Sequence, residues 1–263
     1  MHTREEKLSA FGELLDIMDR LRAECPWNGA QTMETIRPMT EEEVYELSDA
    51  IIKDNSDETC KEIGDLLYHM VFYAKIAEEA GKFDIADSLR KICDKMVFRH
   101  PHVFGDKAGQ PTSAKEIADT WELVKAKEKG GNKTVLGGIP DSMPALLKAL
   151  SMQEKARGCG FDWEQKEQVL DKVREELGEV CEAAREGERG HIEEEFGDLM
   201  FSVINACRLY GIDPEVALGR TCSKFRRRFT YLESKTLKAG RKLTDMTLAE
   251  MDAIWDEAKA QGL

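Results

Sequence analysis

Residues 172–199 read KVREELGEVCEAAREGERGHIEEEFGDL, and this stretch decides the fold. Val169, Val173, Leu177, Val180 and Ala184 recur at helical spacing, and Ile192, Phe196, Leu199, Val203 and Ala206 mark a second stripe. Between them, Glu186-Gly187-Glu188-Arg189-Gly190 reads as a turn with glycines at helix-ending positions. The pattern predicts two helices joined as a hairpin. Carboxylates flank both stripes. Glu176 and Glu179, three apart, share one helical face, and Glu195, Asp198, Ser202 and Asn205 form a single line on the next helix. If the helices are antiparallel, both acidic lines border one cleft.

The same plan occurs earlier in the chain. Glu43, Glu46, Glu62 and Asp65 precede Glu176, Glu179, Glu195 and Asp198 by a constant 133 residues. Gly64-Asp65-Leu66 recurs as Gly197-Asp198-Leu199, Lys95 and Arg99 recur as Lys224 and Arg228, and Trp27 and Trp121 pair with Trp163 and Trp255. Val44, Leu47 and Ile51, then Ile63, Leu66 and Met70, repeat the helical stripes, and no run alternates as a strand does. The expectation is an all-α protein of two tandem helical-bundle domains, 1–130 and 140–263. The junction falls at Lys129-Gly130-Gly131-Asn132-Lys133 and continues through Gly137-Gly138-Ile139-Pro140-Asp141 to Pro144.

Composition narrows the function. In 263 residues, 38 basic against 51 acidic side chains leave a formal charge of −13. That balance argues against tracking a long nucleic acid, which relies on excess Lys and Arg. A small anionic substrate remains compatible if a metal ion or a local basic cluster offsets the repulsion. Seven dispersed cysteines without a C-x-x-C pair read as buried free thiols of a reducing compartment. No signal-like or membrane-spanning segment is visible, so a cytoplasmic protein without a membrane partner is expected.

Four carboxylates around one cleft repel one another, and a divalent cation resolves the conflict. All-oxygen ligation favours Mg²⁺, with Mn²⁺ as the alternative. A di-iron bundle carries Glu-x-x-His where this chain has Asp65 and Asp198. Any single Glu pair is better explained as a solvated acidic face; duplication and position beside the core favour a site for the whole constellation. Glu41 and Glu42 fit an acidic first turn equally well. Lys224-Phe225-Arg226-Arg227-Arg228 is a basic island whose Lys224 and Arg228 share a face, fit either to grip phosphates or to pair with nearby acids. Trp163 and Trp255 could stack on a base or fill the core. His100-Pro101-His102 reads as a structural turn.

Cys25-Pro26-Trp27-Asn28 with Gln31-Thr32, the doubled E-x-x-E…E-x-x-D, Arg99-His100-Pro101-His102-Val103-Phe104 and Gly160-Phe161-Asp162-Trp163 together resemble the MazG nucleoside triphosphate pyrophosphohydrolases over essentially the whole chain. The resemblance implies an all-α homodimer that hydrolyses nucleoside triphosphates to monophosphate and pyrophosphate with Mg²⁺, attacking the α-phosphorus, its C-terminal copy the competent one. Carried over, the metal ligands are Glu176, Glu179, Glu195 and Asp198, with Glu175 orienting water. Substrate contacts come from Lys172, Glu175, His191, Glu194, Asn205, Lys224, Arg228 and Trp255, and His191 stands where a lysine is expected. A second metal set is Glu43, Glu46, Glu62 and Asp65. That copy has Phe72, His69 and Met39 in place of Asn205, Ser202 and Lys172, so it is expected to be weakly active or inactive and to serve dimerisation or regulation. One rival is a relative specialised for a single nucleotide. Another is a nucleotide-sensing or partner-binding helical protein without turnover, against which four retained acids and Asn205 argue.

Overall fold

The computed structural model describes residues 1–105, 108–109, 113, 116–117, 121, 124–125, 128 and 134–263. The expected junction at 129–133 lies outside the described residues. The chain divides into two compact units, Met1–Pro111 and Thr112–Leu263. Among the described residues all regular structure is helical.

The first unit contains α1 (Arg4–Glu24), α2 (Pro26–Gly29), α3 (Met33–Ile52), α4 (Ser56–Glu79), α5 (Ile85–Arg99) and α6 (Pro101–Phe104). Each long helix starts on a polar cap. Thr3 and Glu6 exchange side-chain and backbone hydrogen bonds ahead of α1, and Asp84 and Asp87 do the same for α5. Helices α3 and α4 pair as the expected hairpin, and α1 lies against α4. Met18, Ile36, Val71 and Phe72 form the core at their crossing, packed by Phe11, Leu14, Leu15, Tyr68, Tyr73 and Ile76. Arg22 ties the layer together. Its guanidinium donates to Glu79 Oε2 at 2.5 Å and to the carbonyls of Asn28 and Gln31 at 2.5 and 3.0 Å. Glu41 and Glu42 fall in the middle of α3, which continues through Pro38, so a helix N-terminus does not account for them.

The second unit repeats this arrangement with α7 (Ala145–Gly158), α8 (Lys166–Glu186) and α9 (Arg189–Leu209), followed by α10 (Pro214–Lys238), a short 3-10 turn (Leu243–Asp245) and α11 (Leu248–Ala260). Helix α8 ends on Gly187 at φ 78°, a left-handed conformation that costs glycine little. Glu188 then caps α9, accepting from the N–H groups of Gly190 at 3.0 Å and His191 at 2.5 Å. The connection is therefore two residues long, and Gly190, expected to end a helix, sits in the first turn of α9. Helix α7 crosses α9 as α1 crosses α4, and α11 packs along α10.

The core is not the set of stripes the sequence suggested. Val169, Val180 and Ala206 are buried, but Leu177, Ala184, Phe196 and Val203 are exposed, as are Val44, Ile51, Ile63 and Met70 in the first unit. Ala183 and Ile204 are buried beside the acidic line instead. The paired helices are apolar on more than one face: the face shared with the carboxylates turns inward, and the other is left uncovered. The cysteines differ from expectation in the same way. All seven are free, but Cys60, Cys93, Cys181 and Cys222 are exposed on helices, and Cys159 is exposed at the C-cap of α7.

Candidate active site

Because Glu188 allows α8 to turn directly into α9, the two acidic lines meet. Ligand oxygens of Glu176, Glu179 and Glu195 lie within 4.8 Å of one another. Glu176 is buried, and Lys172 Nζ reaches its Oε1 at 2.8 Å and Glu175 Oε1 at 2.7 Å. Those bonds hold the Lys172 ammonium firmly protonated. The Glu179 carboxyl is pushed above its ordinary range, first by a carboxyl–carboxylate hydrogen bond with Glu176, then by desolvation and by the charges of Glu176 and Glu195. His191 bridges Glu186 Oε2 and Glu195 Oε1, each at 3.1 Å, and its pKa is raised mainly by Glu186. One lysine and one imidazole are thus set against a knot of acids. Three or four oxygen ligands at this spacing fit a hard divalent cation such as Mg²⁺, and the like-charge strain at Glu179 is what such an ion relieves.

The knot opens into a cleft of about 520 Å³. Glu176, Lys172 and Asp198 lie along it with Ser202 and Asn205, while Met152, Phe161, Trp163 and Phe201 give it apolar walls. Asp198 stands outside the 4.8 Å group but borders the same cleft. Asn205 Oδ1 accepts from Arg208 Nε at 2.9 Å, and the Arg208 guanidinium also donates to the Asp162 carboxylate. Burial alone raises the Asp162 pKa, but the bonds from Arg208 and from the Trp163 N–H outweigh it and hold the carboxyl below its usual range.

The remaining candidates lie elsewhere. Glu175 is exposed on α8 and bonded to Lys172, and Glu194 is exposed on α9 without bordering the cleft. Lys224, Arg228 and Trp255 do not line the cleft either. Arg228 donates to the Leu263 carbonyl oxygen at 2.7 Å and lies 5.9 Å from the Trp255 ring. Of the two tryptophans considered for stacking, the structure puts only Trp163 on the cleft. Gln153, Asp162 and Arg208 are not singled out as site residues by sequence, because none belongs to the carboxylate lines that repeat at a fixed offset.

The first unit has the acids without the cleft floor. Glu43, Glu62 and Asp65 come within 4.8 Å, with Glu46 outside the group. Glu62 is fully buried and accepts from Lys61 Nζ at 2.8 Å, and Glu43 is pushed above the usual carboxyl range by burial and by the neighbouring acids. Phe72 and His69 are buried where the second unit has Asn205 and Ser202.

Two helical hairpins, each carrying E-x-x-E and E-x-x-D around an acidic knot that could hold a metal ion, define an all-α protein of tandem copies. The model of the MazG nucleotide pyrophosphohydrolase domain matches twice, at residues 31–104 and 164–232. The chain belongs to that family and is a hydrolase. It is 40% identical to the nucleoside triphosphate pyrophosphohydrolase of Escherichia coli (strain K12), over 97% of this chain and 98% of that protein. It is 43% identical to the nucleoside triphosphate pyrophosphohydrolase/pyrophosphatase MazG of Thermotoga maritima, over 95% of each chain. A Bacillus subtilis protein, the uncharacterized YabN, is 40% identical over 97% of this chain, which covers 53% of its length.

Proposed function

We propose that the second unit hydrolyses nucleoside triphosphates to the monophosphate and pyrophosphate with Mg²⁺, or Mn²⁺ in its place. The observation that carries this reading is the meeting of Glu176, Glu179 and Glu195, with Glu176 bordering a cleft sized for a small ligand. Glu176, Glu179, Glu195 and Asp198 would hold the cation. When bound, it offsets phosphate charge and acidifies water. Lys172 approaches the phosphates from the cleft wall. Glu175, tied to the site through its bond to Lys172, would orient the attacking water and take its proton, and in-line attack at the α-phosphorus expels pyrophosphate. His191 steadies Glu195. The aromatic walls do not distinguish purine from pyrimidine, which favours broad action on a cytoplasmic nucleotide pool, whether in house-cleaning or under stress.

The exposed stripes at Leu177, Phe196 and Val203, and at Val44, Ile51, Ile63 and Met70, support a homodimer in which a second copy covers them. Lys224, Arg228 and Trp255 would contact substrate through that assembly. The first unit, its cleft floor filled, serves dimerisation or regulation.

The test is to incubate the protein with each common nucleoside triphosphate, with Mg²⁺ or with EDTA, and to separate the products. Metal-dependent monophosphate plus pyrophosphate is expected. Diphosphate plus orthophosphate would overturn the reading, and nucleotide binding without any product would favour a sensor.

A further inference from the structure

Gln153 is the buried residue of α7, 6% exposed, and it borders the cleft among Met152, Ala156, Phe161, Trp163 and Phe201. Its Nε2 donates to the Phe201 carbonyl oxygen at 2.8 Å. A main-chain carbonyl can only accept, so this bond fixes the amide orientation and assigns Oε1 to the other side. That Oε1 is buried and accepts nothing from any described residue. Buried acceptors are nearly always satisfied, so an orphan on a cleft wall marks a partner still to come.

The other copy supplies an internal control. Asp19-Arg20-Leu21-Arg22 of α1 aligns with Glu154-Lys155-Ala156-Arg157 of α7, and the alignment sets Met18 opposite Gln153. Met18 is likewise the buried residue of its helix, 1% exposed, and it packs with Phe72 in the apolar core. Where the floor is Met18 and Phe72, the space is filled. Where it is Gln153 and Asn205, an open cleft remains and carries a spare acceptor. The fold therefore does not need a polar group here, and the glutamine is surplus to packing.

We propose that Gln153 is a specificity-determining residue, its Oε1 accepting an N–H of the nucleobase. The inference rests on the nucleotide reading of the cleft given above. The acids occupy one end, where the phosphates go, so the apolar end holding Gln153 takes the base. Adenine, guanine, cytosine and uracil all carry at least one N–H donor, so this contact admits every common base and rejects flat rings that have none. Asn205 complements it: Arg208 occupies its Oδ1, which leaves the Nδ2 donor for a ring nitrogen or carbonyl.

Two probes lack any base N–H: purine riboside triphosphate and 2-pyrimidinone riboside triphosphate. The wild type should turn over the better of ATP and GTP with a kcat/KM about 10- to 100-fold above purine riboside triphosphate, with the same order between CTP and the pyrimidinone. Gln153→Met installs the side chain the first unit already packs. In it the ratio should collapse toward one, by loss of rate on the natural nucleotides with the probes unchanged, and the thermal midpoint should hold. No discrimination in the wild type overturns the inference without needing a variant. Undiminished discrimination in Gln153→Met, or an equal fall on nucleotide and probe, also overturns it while leaving pyrophosphate release standing. No pyrophosphate from any triphosphate overturns the nucleotide reading itself, and this inference with it.

Discussion

Glu176 sits between Lys172 and Glu179, so removing its carboxylate takes away an acceptor and a proton-sharing partner at once. Glu176→Ala should lower turnover by at least about 100-fold, as loss of an inner ligand costs no less than loss of a supporting one, while circular dichroism shows unchanged helix content, alanine being the best helix former. Wild-type rates in this variant would refute the ligand assignment. Asp162 offers a test of a different kind. Its carboxyl is held below the ordinary range in the folded chain, so it stabilises fully above the unfolded value near 4 and the contribution fades as pH falls through the folded value. Asp162→Asn should cost about 1–2 kcal/mol at neutral pH, and urea titrations from pH 5 to 2 should show a shallower acid loss than in the wild type. The acids were legible in the sequence because they recur at one fixed offset. Asp162 and Arg208 were not, since their pairing spans 46 residues and leaves no periodic mark.

Among the elements, the α8–α9 connection carries the most consequence for the site. Gly187 occupies a left-handed position with open space around its Cα. Gly187→Ala therefore strains the backbone without a clash, and thermal melts should report a loss of about 1 kcal/mol. A larger effect would mean that the turn is packed more tightly than its geometry shows. Helix pairs of this kind are readable from sequence, because periodicity and a glycine stop are local signals. The start of α3 is poorly marked in the sequence, as Met33 and a cap made of Thr32 and Thr35 carry less signal than the acidic run at Glu41, which lies within the helix. The stripes misled in a physical sense too. Leu177 and Phe196 keep helical spacing yet point away from α7, and periodicity cannot say which of two apolar faces the same chain will cover.

At the scale of the molecule, both hairpins carry exposed large apolar side chains, Ile63 and Met70 on one, Leu177 and Phe196 on the other, the kind of surface a partner can cover. If a second copy covers that stripe, as proposed above, Phe196→Asp should lower the sedimenting mass; an unchanged profile would overturn the proposed interface. The tandem plan was legible from end to end, since four acids, a Gly-Asp-Leu and two tryptophan pairs repeat in register. What separates the copies functionally was only half visible: Phe72, His69 and Met39 could be matched to their counterparts by subtraction, whereas Met18 and Gln153 align in sequence but gain meaning only once each is seen to be the buried residue of its helix. The two-residue link at Gly187 and Glu188 also bears on how the chain folds. Contacts between α8 and α9 are local in sequence, so the entropy of closing that loop is small and the hairpin is favoured to form before α7 closes over it. A surface of mutually repelling carboxylates is then among the first to assemble, and dissolved salt or divalent ions act on the rate at which the chain reaches its native state as well as on the state itself.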